Sequence, residues 1–146
     1  MKIAYSHLER FFIDFPPIEE ISSKLIQLGH EHEIDNEVFD IEITPNRGDC
    51  LSLKGIIRDL NSFYETNSNT DSFIGDIDKL NLDFKNTKKE VCPKISFLKI
   101  SITEPAQEYK KYLEGYFQDL GHNRINFFTD ISNYISYETG QPTHCY

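Results

Sequence analysis

The chain has 146 residues, of which 38% are hydrophobic and 13% aromatic, with no tryptophan, enough apolar material for one ordinary domain or two small ones. Its formal net charge is −9, and the imbalance sits in residues 1–75, with 6 basic against 14 acidic side chains. That excludes a free-standing nucleic-acid binder, which needs a basic footprint, and fits a part of a larger assembly whose basic surfaces lie elsewhere.

The opening MKIAYSHLERFF lacks the apolar core of a signal peptide, and no apolar run is long enough to span a bilayer. A cytoplasmic setting without a membrane partner is expected. Cys50, Cys92 and Cys145 are odd in number and have no metal-ligand spacing, so reduced thiols are expected. Ser6-His7-Leu8-Glu9 has the form of a capping box opening a short helix over Leu8, Phe11 and Phe12. After the break at Phe15-Pro16-Pro17, Ile18, Ile21, Leu25 and Leu28 recur at helical spacing, and Gly29 closes that helix. His30 and His32 flank a glutamate, but two histidines without a third ligand read as surface rather than as a metal site. Glu31, Glu33, Asp35 and Glu37 share one side of an extended segment, an acidic face on an edge strand.

Residues 40–60, DIEITPNRGDCLSLKGIIRDL, divide into three pieces. Asp40–Thr44 alternates Ile41 and Ile43 with polar residues, the period of a half-buried strand. Pro45 and Gly48 mark a loop. From Asp49, expected as the N-cap, Leu53, Ile56, Ile57, Leu60, Phe63 and Tyr64 follow helical spacing. Arg47 is expected to tie the loop to a carboxylate or to carbonyls. Both Arg47 and Asp49 are read as structural, so Arg47→Ala should cost thermal stability. Residues 65–72 read as a polar surface linker. Beyond it a short strand is expected near 82–84, and a strand over Ile95–Thr103 with a bulge at Leu98. Glu104-Pro105 should start a helix that buries Tyr109, Leu113, Tyr116, Phe117 and Leu120 and ends at Gly121. The aromatic stripe on it reads as core rather than as a base-stacking platform. A final helix is expected after Asp130, with Ile131, Tyr134 and Ile135 buried, stopping at Gly140-Gln141-Pro142.

The run ITPNRGDCLS followed by KGIIRDL resembles the segment D-I-E-I-T-P-N-R-x-D-C-L-S of bacterial phenylalanyl-tRNA synthetase beta subunits. Gly29-His30-Glu31-His32-Glu33 resembles their G-x-E-x-E exit from a second helix. Arg124-Ile125-Asn126, Asp130-Ile131-Ser132-Asn133-Tyr134 and Gly140-Gln141-Pro142-Thr143-His144 resemble the opening of the B3/B4 domain, with Ser132 for Thr and Cys145-Tyr146 for Ala-Phe. The resemblance implies an N-terminal portion of the beta subunit. It lacks the tRNA-binding OB domain usually inserted before the D-I-E-I strand, since Ile34–Phe39 cannot hold a five-stranded barrel. The fold class is α+β: a helix–strand domain over 1–65 like the family's B1, a linker over 66–90, and an incomplete B3/B4-like domain over 91–146. A domain cut at that point should be poorly soluble or oligomerise if made alone.

The resemblance further implies a ligase that attaches phenylalanine to its tRNA, with ATP and Mg2+ serving the whole enzyme and none held by this chain. The catalytic site would lie in an alpha subunit, the partner in a heterotetramer that binds tRNA(Phe). The beta subunit's B3/B4 domain would remove tyrosine wrongly attached to that tRNA. A phenylalanine pocket rejects an added hydroxyl only weakly, by roughly 10²-fold, so a second sieve is needed. By position, Ser132, Asn133 and His144 match the editing pocket, with no metal and no covalent nucleophile implied. Ser132 and Asn133 would sit at a helix start, where free N–H groups can also hold a substrate, or would only cap the helix; His144 would bind a substrate group, position a water, or be structural. Editing by this length alone is not expected. Two other readings stay open: a non-catalytic assembly module derived from the beta subunit, and a stand-alone trans-editing protein.

Overall fold

The computed structural model describes residues 1–67, 74–104 and 109–146. The fold is α+β, as expected, with five α-helices and a three-stranded antiparallel sheet. The chain divides into two units, residues 1–69 with 106–146, and residues 70–105.

The first unit opens on β1 (Lys2–Ala4), a strand not expected from the sequence. It pairs antiparallel with Val38, Phe39 and Asp40, which holds the backbone extended up to Ala4, so that α1 (Tyr5–Leu8) starts there. Ser6 therefore lies inside the helix, and the expected capping box does not form. The Ser6 hydroxyl donates instead to Asp119 Oδ2 at 2.6 Å. A 3-10 turn over Glu9–Phe11 follows. α2 (Ile18–Gln27) buries Ile21 and Leu25 as its spacing predicts, and Gly29 leaves it with φ of +84°.

β2 (His32–Asp35) and β3 (Val38–Ile41) form a hairpin, and the sheet order is β1-β3-β2. The Asn36-Glu37 turn has positive φ at both residues, 48° and 63°, as a two-residue hairpin loop with right-handed strand twist demands. That turn sets the register Asp35 to Val38 and Ile34 to Phe39. The strand expected over Asp40–Thr44 therefore starts two residues earlier and ends at Ile41, because the turn rather than the isoleucine alternation decides which residues face a partner. β2 is an edge strand, and Glu33 lies directly across from Asp40.

After the loop, a 3-10 turn over Gly48–Cys50 precedes α3 (Leu53–Leu60). Ser52, not Asp49, is the N-cap: its Oγ accepts from Gly55 N at 3.0 Å. Asp49 is held in the 3-10 turn, too far upstream to reach the first free amides of α3. Leu53, Ile56, Ile57 and Leu60 are all buried, as expected. The polar run 65–72 falls partly on the described residues. Asn67 N bonds Phe11 O at 2.6 Å, and Thr66 donates to Asn61 Oδ1, so residues 66 and 67 are tied down. The rest of that run lies outside the described residues.

α4 (Lys111–Asp119) and α5 (Phe127–Thr139) complete the unit. The proposed helix start at 105 lies at the edge of residues outside the description; Lys110 is the N-cap. Gly121 and Gly140 leave the helices at φ of +69° and +72°. Ile135, expected in the core, is exposed. Leu113, Tyr116, Phe117 and Leu120 of the α4 segment join one core with Leu8, Phe11, Ile56 and Leu60, so the aromatic stripe is core. Each such side chain stabilises by roughly 1.5–3 kcal/mol on burial.

His7 is the ionisable group set deepest against α4. Its ring stacks on Tyr116, with centroids 4.1 Å apart. Nε2 is 3.3 Å from Asp119 Oδ2 and, among the described residues, makes no hydrogen bond of good geometry. Burial lowers its pKa to about 4; Asp119 pulls the other way, and Arg10 lowers it further. The native state thus holds His7 neutral, while the unfolded chain takes up its proton near pH 6.5. Stability present above that pH is lost as the pH falls toward 4, by on the order of 2–3 kcal/mol. Urea midpoints at pH 7 and pH 5 measure this, and His7→Phe should flatten the difference. Equal slopes in the two proteins would contradict the assignment.

The second unit, over its described residues 74–104, contains no helix and no strand. The strands expected near 82–84 and over Ile95–Thr103 are not formed. An alternating extended segment becomes a strand only when a neighbour takes up its N–H and C=O groups, and among the described residues of this unit none does. Ile95, Phe97, Leu98, Ile100 and Ile102 are exposed. Phe84 and Phe97 meet edge-on at 4.7 Å, and Asn86 Nδ2 donates to Cys92 O at 2.7 Å.

Candidate functional site

Two clusters carry the residues singled out in the sequence. The first is built around Arg47. Its Nε and Nη2 donate to the two oxygens of Asp49, each at 3.1 Å. Nη2 also reaches Asp59 Oδ2 at 2.6 Å and Cys50 Sγ at 2.8 Å. His30 Nε2 lies 2.9 Å from the same Asp59 oxygen, and Arg58 closes on Asp49 from α3. The Arg47 guanidinium holds the Asp49 carboxyl well below the usual carboxylate range. For Asp59, burial alone would raise the pKa, but the hydrogen bonds from His30 and Arg47 outweigh it and the net shift is downward. Burial, with the Asp59 charge behind it, pushes the Cys50 thiol up to about 12. Cys50 therefore stays protonated at neutral pH and is a poor nucleophile.

His30, Cys50 and Asp59 present donor atoms within 4.8 Å of one another, a spacing that a metal ion could span. Arg47 Nη2 already sits against Asp59 and Cys50, so the trio would hold a cation only after expelling that guanidinium. His32 does not join them: its ring nitrogens face Ser22 Oγ and His30 O, each at 2.9 Å. Arg47 binds carboxylates, as expected, but Asp59 and Cys50 were not named as its partners, nor His30 as a partner of Asp59. The available signal was a lone carboxylate at Asp59 between the core positions Ile57 and Leu60.

The second cluster lies along α5. Ser132, Asn133 and His144 all line one open groove of about 840 Å³. Leu51, Phe128, Tyr137 and Tyr146 give it apolar walls, and among the described residues no Asp, Glu, Lys or Arg lines it. α5 begins at Phe127, capped by Asn126, whose Oδ1 accepts from Thr129 N at 3.0 Å. Ser132 and Asn133 are thus in the second turn, and their backbone amides are not the free donors expected of a helix start. Asp130 begins no helix either. Its buried carboxylate accepts from Tyr109 OH at 2.6 Å and from Ile125 N at 3.1 Å, which explains why the first turn forms upstream of it.

Ser132 is buried, Asn133 half-buried and His144 exposed. The Ser132 hydroxyl donates to the carbonyl of Thr143. Thr143 Oγ1 returns a bond to Ser132 O at 2.8 Å, and Ser136 Oγ stands 3.1 Å from Thr143 Oγ1. These three hydroxyls bind the segment carrying His144 along α5. The pairing of Ser132 with Ser136 and Thr143 was not expected; two serines four apart on one helical face were its signal. At the other end of that segment, a Cβ on Gly140 would stand 3.1 Å from Ser52 Cβ, so the turn packs against the cap of α3. The two clusters are neighbours through Leu51, Ser52 and Gly140.

Against this geometry stand the sequence comparisons. A phenylalanine–tRNA ligase beta subunit of Rickettsia bellii is 34% identical over 122 residues, covering 77% of this chain and 13% of that protein. That of Streptomyces avermitilis is 31% identical over 137 residues, covering 92% of this chain and 16% of its own length. That of Psychrobacter arcticus is 28% identical over 117 residues. The chain is related to phenylalanine–tRNA ligase beta subunits. It spans 13% to 16% of the length of these beta subunits. No family model matches the chain, and no solved structure is a significant match. Among the described residues, no helix is long and apolar enough to cross a membrane.

Proposed function

We propose that this chain serves in a phenylalanine–tRNA ligase as beta-subunit sequence, beside an alpha subunit that charges tRNA(Phe) with ATP and Mg2+, and that its groove on α5 contributes to a pocket for wrongly attached tyrosine. The observation that carries this is the meeting of Ser132, Asn133 and His144 on one groove with no Asp, Glu, Lys or Arg side chain among its described lining residues. Such a lining suits an aromatic side chain with one neutral hydroxyl. It supplies donors and acceptors without a carboxylate base, so the chemistry it supports is binding and the orientation of a water on an ester carbonyl.

The test is binding of 3′-tyrosylamino-3′-deoxyadenosine, a non-hydrolysable stand-in for the charged tRNA end. Asn133→Ala and His144→Ala should each weaken it by about tenfold, the worth of one hydrogen bond. No binding, or binding indifferent to both substitutions, would end the proposal. Deacylation of tyrosyl-tRNA(Phe) by this chain alone should remain at background.

A non-catalytic assembly role is favoured by one different observation. Glu31, Glu33, Asp40 and Glu42 crowd one exposed face of the β2–β3 hairpin, with Glu33 and Asp40 opposed across the strands. Like charges so placed cost stability and suit a basic partner surface. Capture of an alpha subunit that is lost on Glu33→Lys, with tyrosyl probe binding absent throughout, would favour this reading.

A further inference from the structure

We propose that Ser132 is a positioning residue for His144, not a contact for the substrate hydroxyl; the inference deepens the reading of the groove as a tyrosine pocket and rests on it. The hydroxyl of Ser132 is already spent, since it donates to the Thr143 carbonyl, the peptide unit that leads directly into His144. The return bond from Thr143 Oγ1 to Ser132 O, at 2.8 Å, doubles the link. Ser136 adds a second rung: its Oγ donates to Ser132 O at 2.9 Å and stands 3.3 Å from Thr143 N, which points toward it. An exposed histidine on an irregular segment has no other restraint of comparable number. Among the described residues its ring meets Tyr146, at a centroid distance of 6.4 Å.

The chain direction is fixed upstream as well. Gly140 turns at φ of +72° and abuts Ser52, so the segment leaves α5 at a set angle. Between that turn and the Thr143 clamp lie only Gln141 and Pro142, and proline restricts its own φ. His144 is thus presented to the groove by a short arm held at both ends. Asn133, on the turn of α5 beside Ser132, has no such engagement among its described contacts. The polar reading of a bound side chain therefore falls to Asn133 and His144.

The experiment compares the 146-residue chain with Ser132→Ala, Ser132→Thr and the double variant Ser132→Ala/His144→Ala. Amide exchange and the His144 ring signal are followed by NMR, and tyrosyl- and phenylalanyl-aminoadenosine are the two probes. Ser132→Ala should speed exchange of the Thr143 amide by about tenfold and shift the His144 ring signal, while Ser132→Thr restores both. Both probes should weaken by the same factor, and Ser132→Ala should add nothing once His144 is gone. An unchanged Thr143 amide and His144 signal in Ser132→Ala overturns the proposal. So does a loss confined to the tyrosyl probe, which would mean direct contact with its hydroxyl. If neither probe binds the parent chain but the Thr143 and His144 changes appear and are rescued by threonine, the positioning role stands and the tyrosine pocket falls.

Discussion

Gly55→Ala should destabilise the chain by about 3 kcal/mol, although glycine-to-alanine exchange inside a helix ordinarily stabilises by about 1 kcal/mol. The sign reverses because of what faces this position. A Cβ at Gly55 would lie 2.1 Å from the carbonyl oxygen of Asp49 and 2.9 Å from the Cα of Cys50. Both are backbone atoms of the 3-10 turn, which cannot swing aside as a side chain would. To admit the methyl group the turn must lift from α3, and it would carry Arg47 and Asp49 away from Asp59. Urea unfolding of the two proteins at pH 7 measures the difference. A midpoint equal to or above the parent's would show that turn and helix are not in the contact described.

Asp59→Ala is the second large effect, a loss of about 3 kcal/mol. The Asp59 side chain is 13% exposed and is the shared acceptor for Arg47, His30 and Cys50. Alanine would leave His30 Nε2 without that acceptor in a place that water reaches poorly, and would leave Arg47 and Cys50 with Asp49 alone. Asp59→Asn should cost less, since one oxygen is kept, but its amide group would face another donor. Arg47→Ala should also lower the melting midpoint, and combining it with Asp59→Ala should cost less than the two separately, because no charge is then left unmatched. Additive losses in the double variant would mean that the pair does not interact as the distances require.

What was legible in the sequence is what repeats along it. Helical spacing placed α2, α3 and the buried face of α4, and the glycines at 29, 121 and 140 marked where helices end. The strand edges were less legible because register is decided by the partner: β1 is three residues long, and its pairing with β3 has no local signature. Capping was misread at Ser6 and Asp49 for a related reason. At Ser6 a tertiary partner, Asp119, claimed the side chain that local rules would have turned on the backbone; Asp49 was drawn into the 3-10 turn and bonded to Arg47, two residues before it. The segment 95–103 has the alternation of a strand, but alternation describes a face and does not supply a neighbour. The groove residues could be named from family resemblance alone. The use of Ser132 could not, because it depends on Thr143 folding back along α5.

The route of the chain sets the order in which it can fold. Residues 1–67 bury Leu8, Phe11 and Leu60 in a core shared with Leu113, Tyr116 and Phe117, while Ser6 meets Asp119 across 113 positions and Arg10 meets Glu138 across 128. On a ribosome residues 1–67 must wait, their apolar surface unfinished, until the segment carrying Leu113, Tyr116 and Phe117 has been made. Closing so long a loop is entropically costly before any contact rewards it, so folding should be slow and should depend on chaperones that cover that surface meanwhile.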